Sequence, residues 1–291
     1  MASTPVLADV ISALDALWPR ERAEAWDAVG LVCGDPAATV RRVLFAVDPV
    51  QPVVDEAVRI GADLLVTHHP LYLRGTTTVA PEGPAAFKGR VVHDLIRAGV
   101  ALHVAHTNAD RADPGVSDAL AAAVGLRITG PLVPDPDDPA GRRGLGRIGE
   151  LDVPLTLAEF ADLAARGLPE TAVPLRVAGD PQATVRTVAV CGGSGDSLFA
   201  EVRAAGVDVF LTADLRHHPA SEARLAGGPA LIDAAHWATE WPWCEQAAAQ
   251  LDAISDRHGW ALRTHVSDAV TDPWTAHTSL PVPSSSSGAP R

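Results

Sequence analysis

The sequence predicts an α/β protein of two pseudo-symmetric lobes, each with a mostly parallel sheet covered by helices. Short, uninterrupted apolar strands alternate with helical patterns, which is typical of parallel strands buried on both faces. The same order of strand and helix signals occurs twice along the chain. A length of 291 residues is sufficient for one large domain or for two modest lobes.

The elements of the first half follow from apolar spacing. An opening helix is capped by Thr4 and stopped by Pro19, with apolar residues at helical spacing between them. Apolar runs then predict three buried strands, at residues 40–48, 63–67 and 101–105. Helical periodicity predicts three intervening or following helices, at residues 53–60, 87–98 and 113–124.

The second half repeats this plan. The strand starts Val40-Arg-Arg-Val43 and Gly61-Ala-Asp63 have counterparts at Val185-Arg-Thr-Val188 and Gly206-Val-Asp208. Each half then reaches a strand that ends in a histidine, with a carboxylate four residues later. These pairs are His106 with Asp110, and His236 with Glu240. Ligands collect at the carboxyl ends of such strands, so the repeat predicts a site at these strand ends.

Breaks in composition predict the domain limits. The Pro-, Gly- and charge-rich stretch at 131–144 is expected to connect a first lobe (1–130) with a second lobe (145–279). Residues 280–291, which are rich in Ser and Pro, are predicted to be a disordered tail.

Composition and charge exclude several classes of protein. With 23 basic and 36 acidic side chains, the formal net charge is −13, which argues against a nucleic-acid partner. No apolar run is long enough for a membrane span, and the first residues do not resemble a secretory signal. The three cysteines lie far apart and form no zinc or disulfide pattern. We therefore expect a cytoplasmic protein.

His68 and His69 directly follow the predicted strand at 63–67. Adjacent side chains at a strand end point to opposite sides, so the pair suits two metal ions better than one. Taken alone, the pair is equally consistent with two loop histidines. Combined with the two histidine–carboxylate pairs, it forms a nitrogen and oxygen ligand set that suits Zn, Mn or Fe.

Three further motifs have simpler interpretations. The GxGxxG match at Gly144–Gly149 lacks the strand–turn–helix context of a dinucleotide site. The glycine-rich turn at residues 192–195 fits a tight turn better than an anion cradle. Trp237, Trp241 and Trp243 are expected in the core or an interface. Asp214, His217 and His218 either orient metal ligands or pack as ordinary loop residues.

The chain resembles the NIF-three-like dinuclear-metal family over about residues 5–270. The motifs that carry this resemblance are Trp26-Asp27-Ala28-Val29-Gly30-Leu31, Thr67-His68-His69-Pro70-Leu71, His106-Thr107-Asn108-Ala109-Asp110, Gly144-Leu145-Gly146-Arg147, Thr212-Ala213-Asp214 and His236-Trp-Ala-Thr-Glu240. Members of this family are commonly called GTP cyclohydrolase 1 type 2 homologues. Ala28 and Ala213 depart from the family pattern, which has asparagine and glycine there, and the departure at Ala28 makes substrate contacts from the first loop less certain.

The resemblance implies two divalent metal ions per subunit, held between the lobes. The implied ligands are His68, His69, Asp110, His236 and Glu240, with Glu240 bridging the two ions. The resemblance also implies a homo-oligomer, often a hexameric toroid built from dimers.

We expect a metal-dependent hydrolase acting on a nucleotide or another small molecule. In the simplest scheme the two ions share a water and lower its pKa, and the resemblance implies GTP ring opening. His106 is a candidate proton relay and Asn108 a candidate for orienting the substrate. Two alternatives remain open. One is a non-enzymatic metal-binding scaffold or regulatory partner, and the other is a different metallohydrolase such as a phosphoesterase.

Overall fold

The computed structural model describes residues 3–278, which form two sheets and their covering helices. The helices, numbered along the chain, are α1 (Leu7–Leu17), α2 (Gln51–Ile60), α3 (Ala86–Ala98), α4 (Thr107–Asp110), α5 (Val116–Ala123), α6 (Leu157–Gly167), α7 (Phe199–Ala205), α8 (His217–Leu225) and α9 (His236–His258). The strands are β1 (Gly30–Cys33), β2 (Arg42–Ala46), β3 (Leu64–Thr67), β4 (Ala101–Val104), β5 (Arg127–Pro134), β6 (Gly144–Thr156), β7 (Arg176–Ala178), β8 (Thr184–Ser194), β9 (Val209–Ala213), β10 (Ala230–Ala234) and β11 (Arg263–Val266).

The first sheet has the strand order β1-β4-β3-β2-β11. Its last four strands are parallel, and β1 joins β4 in the antiparallel sense. Apolar side chains of β2, β3 and β4 pack on one face against α2 and α3. The other face packs against α1, α5 and α9. Burial on both faces explains why these strands are continuous apolar runs in the sequence.

The second sheet has the order β5-β6-β8-β9-β10-β7 and is only partly parallel. Strands β8, β9 and β10 are parallel, whereas β5, β6 and β7 each pair in the antiparallel sense. One face packs on α5 and α6, and the other on α7 and α8. The predicted two-lobe α/β class is therefore confirmed, with a second sheet that is more mixed than expected.

The predicted repeat corresponds to β2-α2-β3-α3-β4 in the first lobe and β8-α7-β9-α8-β10 in the second. In each unit the three strands are parallel neighbours with the same order. Their carboxyl ends bring the loops that follow β3, β4, β9 and β10 to the space between the sheets, where the candidate ligands lie.

The predicted domain limits need correction at both ends of the second lobe. The stretch at 131–144 is no free connection, because β5 and β6 continue into it and pair as a hairpin. The chain then returns to the first lobe, where α9 packs in the core and β11 pairs with β2. The second sheet thus comprises the continuous segment 127–234, inserted into the first lobe. The predicted tail lies outside the described residues.

Arg147 explains the glycine-rich motif at the start of β6. Its guanidinium is buried, bonds to the carboxylate of Asp118 at 2.6 and 2.9 Å, and donates to the carbonyls of Ala112, Gly144 and Gly146. A side chain on Gly144 would place its Cβ 2.1 Å from the carbonyl oxygen of Val133. The motif is therefore structural, as its lack of dinucleotide context indicates.

No helix within residues 3–278 combines the length and the apolar character that crossing a bilayer requires.

Candidate metal centre

Four histidines converge between the lobes, and each comes from the end of a parallel strand. His68 and His69 follow β3, His106 follows β4, and His236 follows β10 as the first residue of α9. One ring nitrogen from each of His68, His69 and His106 lies within 4.8 Å of the others. A second group of the same compactness joins His69, His236 and Glu240. The two groups share His69, so the cluster has the form of two adjacent metal sites.

The Nδ1 atom of each of these histidines is bound by a group outside the cluster. Nδ1 of His68 lies 3.0 Å from the carbonyl oxygen of Ala105. The other three Nδ1 atoms each meet a carboxylate, at 2.7 Å from Asp48 for His69, 2.9 Å from Asp27 for His106 and 2.7 Å from Asp214 for His236. Because these oxygens only accept, every Nδ1 carries the proton. Each Nε2 is thereby fixed as the atom available to a metal, as at many histidine metal sites.

Glu240 lies at the centre of the cluster. It is four residues after His236 on α9, so the two side chains share one face of the helix. Its Oε1 lies 2.9 Å from Nε2 of His236 and 3.5 Å from Nε2 of His68, and its Oε2 lies 3.1 Å from Nε2 of His69. One carboxylate therefore touches histidines that follow strands of both sheets, as a bridging ligand requires. Asp110 lies at the edge, with Oδ1 3.7 Å from Nε2 of His68.

The cluster strongly perturbs its own ionisation. Burial opposes the charged form of Glu240, but the neighbouring His69, His68 and His236 together hold its pKa well below the usual range. Burial also opposes the charged form of His69, yet the carboxylates of Glu240 and Asp48 raise its pKa to about 11. For His236, Glu240 and Asp214 overcome burial and raise the pKa to about 9. Without metal, protons on the imidazoles thus balance the buried carboxylates.

The residues fit a pair of metal ions by three structural criteria. Within residues 3–278, Nε2 of His68 is buried and has no hydrogen-bond partner, which is rare for polar atoms in proteins. The donors are imidazole nitrogens and carboxylate oxygens, the ligands that Zn, Mn and Fe accept. The third criterion is space, which the facing glycine-rich turn provides.

Gly193 is the residue of that turn that faces the cluster. A Cβ at this position would lie 2.4 Å from Oε1 of Glu240 and 3.0 Å from Nε2 of His236, and its φ is +67°. Only glycine both adopts this conformation readily and leaves this room. The anion-cradle alternative finds little support, because the amides of Gly192, Gly193 and Gly195 bond to Ser117, Thr239 and Ala213.

The two residues predicted to act in catalysis lie in different settings. A ring nitrogen of His106 belongs to the metal-binding group itself, so its position suits a ligand as well as the predicted proton relay. Asn108 is buried, with Nδ2 donating to the carbonyl of Trp18 at 2.7 Å and Oδ1 accepting from the amide of His106 at 2.9 Å. Its amide holds the backbone in place, and the predicted contact with substrate stays a prediction.

Of the three candidates for an orienting role after β9, one lies at the cluster and two do not. Asp214 does orient a candidate ligand, because it holds Nδ1 of His236. Among residues 3–278 it is the one non-glycine residue with positive φ, at 59°. This uncommon backbone conformation occurs together with the contact to His236. His217 and His218 instead pack against each other on the exposed start of α8. Trp237 and Trp243 lie in the first-lobe core, as expected.

Asp48 and Asp27 are functional candidates that the sequence reasoning did not single out. Asp48 follows β2 and holds His69, and the strand-end rule that found the histidines applies equally to it. Asp27 lies in a loop after α1, and no local pattern connects it with His106, 79 residues later. Burial opposes ionisation of Asp27, but hydrogen bonds from His106 and Thr107 hold its pKa below the ordinary value.

Comparison with known proteins gives a consistent result. The family model for Duf34/NIF3 (NGG1p interacting factor 3) matches residues 5–273. A Streptomyces coelicolor protein called GTP cyclohydrolase 1 type 2 homolog is 72% identical over 98% of this chain and 99% of its own length. A protein of the same name from Mycobacterium tuberculosis is 39% identical, covering 92% of this chain and 96% of the relative.

Two solved structures resemble the whole fold. A Bacillus cereus protein related to NIF3 superposes with a TM-score of 0.85 at 25% identity, over 94% of this chain and 99% of that one. A Staphylococcus aureus hypothetical protein superposes with a TM-score of 0.84 at 28% identity and the same coverage.

Proposed function

Because the chain belongs to the Duf34/NIF3 family, we propose that its histidine and carboxylate cluster binds two divalent metal ions and supports a hydrolytic reaction. The observation that carries this proposal is the convergence of four imidazoles, three of them in contact with Glu240, with every Nδ1 already bound elsewhere. A set of polar groups this buried is costly unless a cation or protons balance it.

The proposed ligands divide between two ions. His68, His106 and Asp110 of the first lobe would hold one ion, and His69 with His236 would hold the other. Glu240 would bridge both, since its two oxygens reach histidines on either side. When bound, such an ion pair supplies Lewis acidity and generates a nucleophile from water near neutral pH.

The chain's own residues prepare this chemistry. Asp48, Asp27 and Asp214 fix the ring orientation of three ligands, which maintains the site geometry during a reaction. The ring of Trp243 packs against the ring of His68, with 5.3 Å between the two ring centroids, and excludes water from that side. The opposite side of the cluster, at His69 and His236, faces a cavity and is the face open to a substrate.

Elemental analysis tests the metal proposal directly. Protein purified without chelator, or stripped and resupplied with Zn, Mn or Fe(II), is expected to hold about two ions per chain. Glu240→Gln should lose them, whereas Glu245→Gln, an exposed change on the same helix, should retain them. Well under one ion per chain after metal addition would refute the proposal.

The hydrolytic part needs its own measurement. The metal-loaded protein should be assayed with GTP, the substrate named for its relatives, and with panels of phosphodiesters and amides. Turnover that falls in Glu240→Gln and not in Glu245→Gln would support a metal-dependent hydrolase. Two bound ions without turnover on any panel would favour the non-enzymatic scaffold instead.

We also propose that the chain assembles into a homo-oligomer in the cytoplasm. Large apolar side chains such as Leu225 and Val153 are more than two-thirds exposed, which is consistent with contacts between copies. Light scattering that gives a mass near 30.3 kDa over a wide concentration range would contradict the oligomer.

A further inference from the structure

A cavity of about 590 Å³ opens beside the metal centre, on the side of His69 and His236. Its volume lies within the usual range for small-molecule sites. The second lobe forms one wall, and residues 267–278, which we call the C-terminal segment, form the other. Anything bound there lies against two proposed metal ligands.

The C-terminal segment is tied to both lobes. The amide of Ser267 donates to the carbonyl of Phe45 at 2.8 Å, and the hydroxyl of Thr271 donates to Asp48, the carboxylate that also holds His69. Farther along, His277 contacts the carbonyl of Ala172 in the second lobe. The segment is therefore a fixed wall of the cavity, joined to the support of the metal centre.

Arg176, on β7, is the cationic side chain that lines this cavity. Its Nε and Nη2 bond to Asp233, whose other oxygen accepts from the amide of Leu215 at 3.0 Å. The guanidinium is thus held in place while its side chain stays 66% exposed. Within the described part of the chain, Nη1 makes no hydrogen bond, so it is available to an anion.

Trp274 presents an indole to the same cavity. The residue is 66% exposed, which is unusual for so large an apolar side chain, and the segment that carries it is fixed on both sides. A fixed, exposed aromatic ring on a cavity wall is a surface on which a planar ligand can stack.

Apart from Arg176 and the imidazoles of His69 and His236, the ionisable side chains that line the cavity are carboxylates. Asp48, Asp214, Asp233 and Asp272 line it, and burial together with the nearby Asp214 and Asp48 raises the pKa of Asp272. One guanidinium can pair with one phosphate or carboxylate group, but these four carboxylates oppose a longer run of negative charge. The lining therefore suits a ligand with a single anionic group, and not a triphosphate.

We propose that this cavity is the substrate site and that it takes a planar ring carrying one anionic group, with the ring on Trp274 and the anion on Arg176. This assignment rests on the proposed metal-dependent function, because the cavity opens onto His69 and His236. It adds two specificity-determining residues and makes a monophosphate or carboxylate a better ligand than a triphosphate.

Calorimetric titration of the metal-loaded and metal-free protein tests the proposal. The probes are guanosine 5′-monophosphate and orotate, which combine a ring with one anion, together with guanosine, inorganic phosphate and GTP. Guanosine 5′-monophosphate, orotate or both should bind more tightly than guanosine or inorganic phosphate, and no less tightly than GTP. Which of the two binds distinguishes a phosphate monoester from a carboxylate.

The variants separate the two contacts. For whichever of guanosine 5′-monophosphate and orotate binds the wild type, Arg176→Gln should lower the affinity by about 10- to 100-fold. The affinity for guanosine should be unchanged. Trp274→Ala should lower the affinity for that ligand and for guanosine alike, by about 10-fold or more. Trp274→Phe should restore most of the lost affinity. Arg166→Gln, an exposed arginine on α6 outside the cavity, is the matched control and should change nothing.

Metal content measured in parallel separates the two hypotheses. If the wild-type protein binds no metal, the proposed function fails, and the probe titrations of the metal-free protein still report on Arg176 and Trp274. The cavity assignment is overturned if no probe binds, or if GTP binds much more tightly than both guanosine 5′-monophosphate and orotate. It is also overturned if Arg176→Gln and Trp274→Ala bind the probes like the wild type.

Discussion

The two lobes share the same strand order but carry different side chains at the strand ends. In the first lobe the residues after β3 are His68 and His69, which enter the cluster directly. At the equivalent point, where β9 ends, the second lobe has Ala213 and Asp214, and Asp214 reaches the cluster only by holding His236. One half of the repeat thus supplies most of the candidate nitrogen ligands, and the other supplies a support and the central carboxylate.

The final strands of the two repeats differ in a related way. After β4, His106 and Asp110 flank the four-residue helix α4, and Asp110 stays partly exposed. After β10, His236 and Glu240 begin the 23-residue helix α9, and Glu240 is buried. The carboxylate proposed to bridge two ions is therefore carried by the longer and better packed element. Repetition of a fold preserves where side chains meet, while sequence divergence decides which of them can bind.

Removing the central charge should break the site most severely. Glu240→Gln keeps the size of the side chain but removes its negative charge, so both ions should bind more than about 100-fold more weakly, beyond the effect of losing a supporting residue. Asp110→Asn should mainly deplete one ion. Calorimetric metal titrations compare the two variants, and retention of two full-affinity ions by Glu240→Gln would show that the lobes have been assigned the wrong roles.

The glycine-rich turn offers the next largest effect. In Gly193→Ala the new Cβ would collide with Glu240 and His236, so metal affinity should fall by about 100-fold, comparable to losing a strong supporting contact. Gly206→Ala is the matched control, since it has nearly the same φ of +65° but no atom within 4 Å of the new Cβ. Both variants should lose about 1 kcal/mol of stability through backbone strain, measured by denaturant unfolding, but only Gly193→Ala should lose metal.

The supporting carboxylates allow a direct test of equivalence between the lobes. Asp48→Asn and Asp214→Asn each weaken the hold on one histidine, and each should reduce metal affinity by about 10- to 100-fold. His217→Ala, which lies outside the cluster, should leave metal titrations unchanged. A loss in His217→Ala with none in Asp214→Asn would reverse the assignment within this loop.

The smallest expected effect is a pH dependence. With raised pKa values of about 11 and 9, His69 and His236 hold protons at pH 7 in the metal-free protein. Metal must displace those protons, so metal affinity should rise with pH, by up to about 10-fold per unit for each proton released. Calorimetry in two buffers of different ionisation heat counts the protons, and a release of none at pH 7 would contradict the prediction.

The sign for folding stability is opposite. The raised pKa of His236 and His69 stabilises the metal-free fold fully below the ordinary histidine pKa near 6.5. This contribution should be lost as the pH rises through about 9 and toward 11.

Local patterns in the sequence predicted the strands that matter most. The runs that became β3 and β4 are fully buried, so their apolar character was unambiguous, and the histidines at their ends could be placed from the repeat. The return of the chain to the first lobe could not be predicted in this way. β11 alternates exposed and half-buried residues over only four positions, and its partner β2 lies more than 200 residues away.

The supporting shell was hidden for a different physical reason. Asp27 reaches His106, and Thr271 reaches Asp48, only because separate elements pack together. No periodicity encodes such contacts, whereas a strand end or a spacing of four on a helix is a local property. Sequence reasoning thus found most candidate ligands and the orienting Asp214, but missed Asp48 and Asp27.

The insertion of the second lobe into the first has a consequence for synthesis of the chain. Strand β2 emerges early from the ribosome, but its partner β11 follows some 220 residues later. At typical elongation rates this leaves one edge of the nascent sheet unpaired for roughly 10–40 s. His68 and His69 are translated about 170 residues before His236 and Glu240, so an ion could be bridged only after most of the polypeptide has been translated.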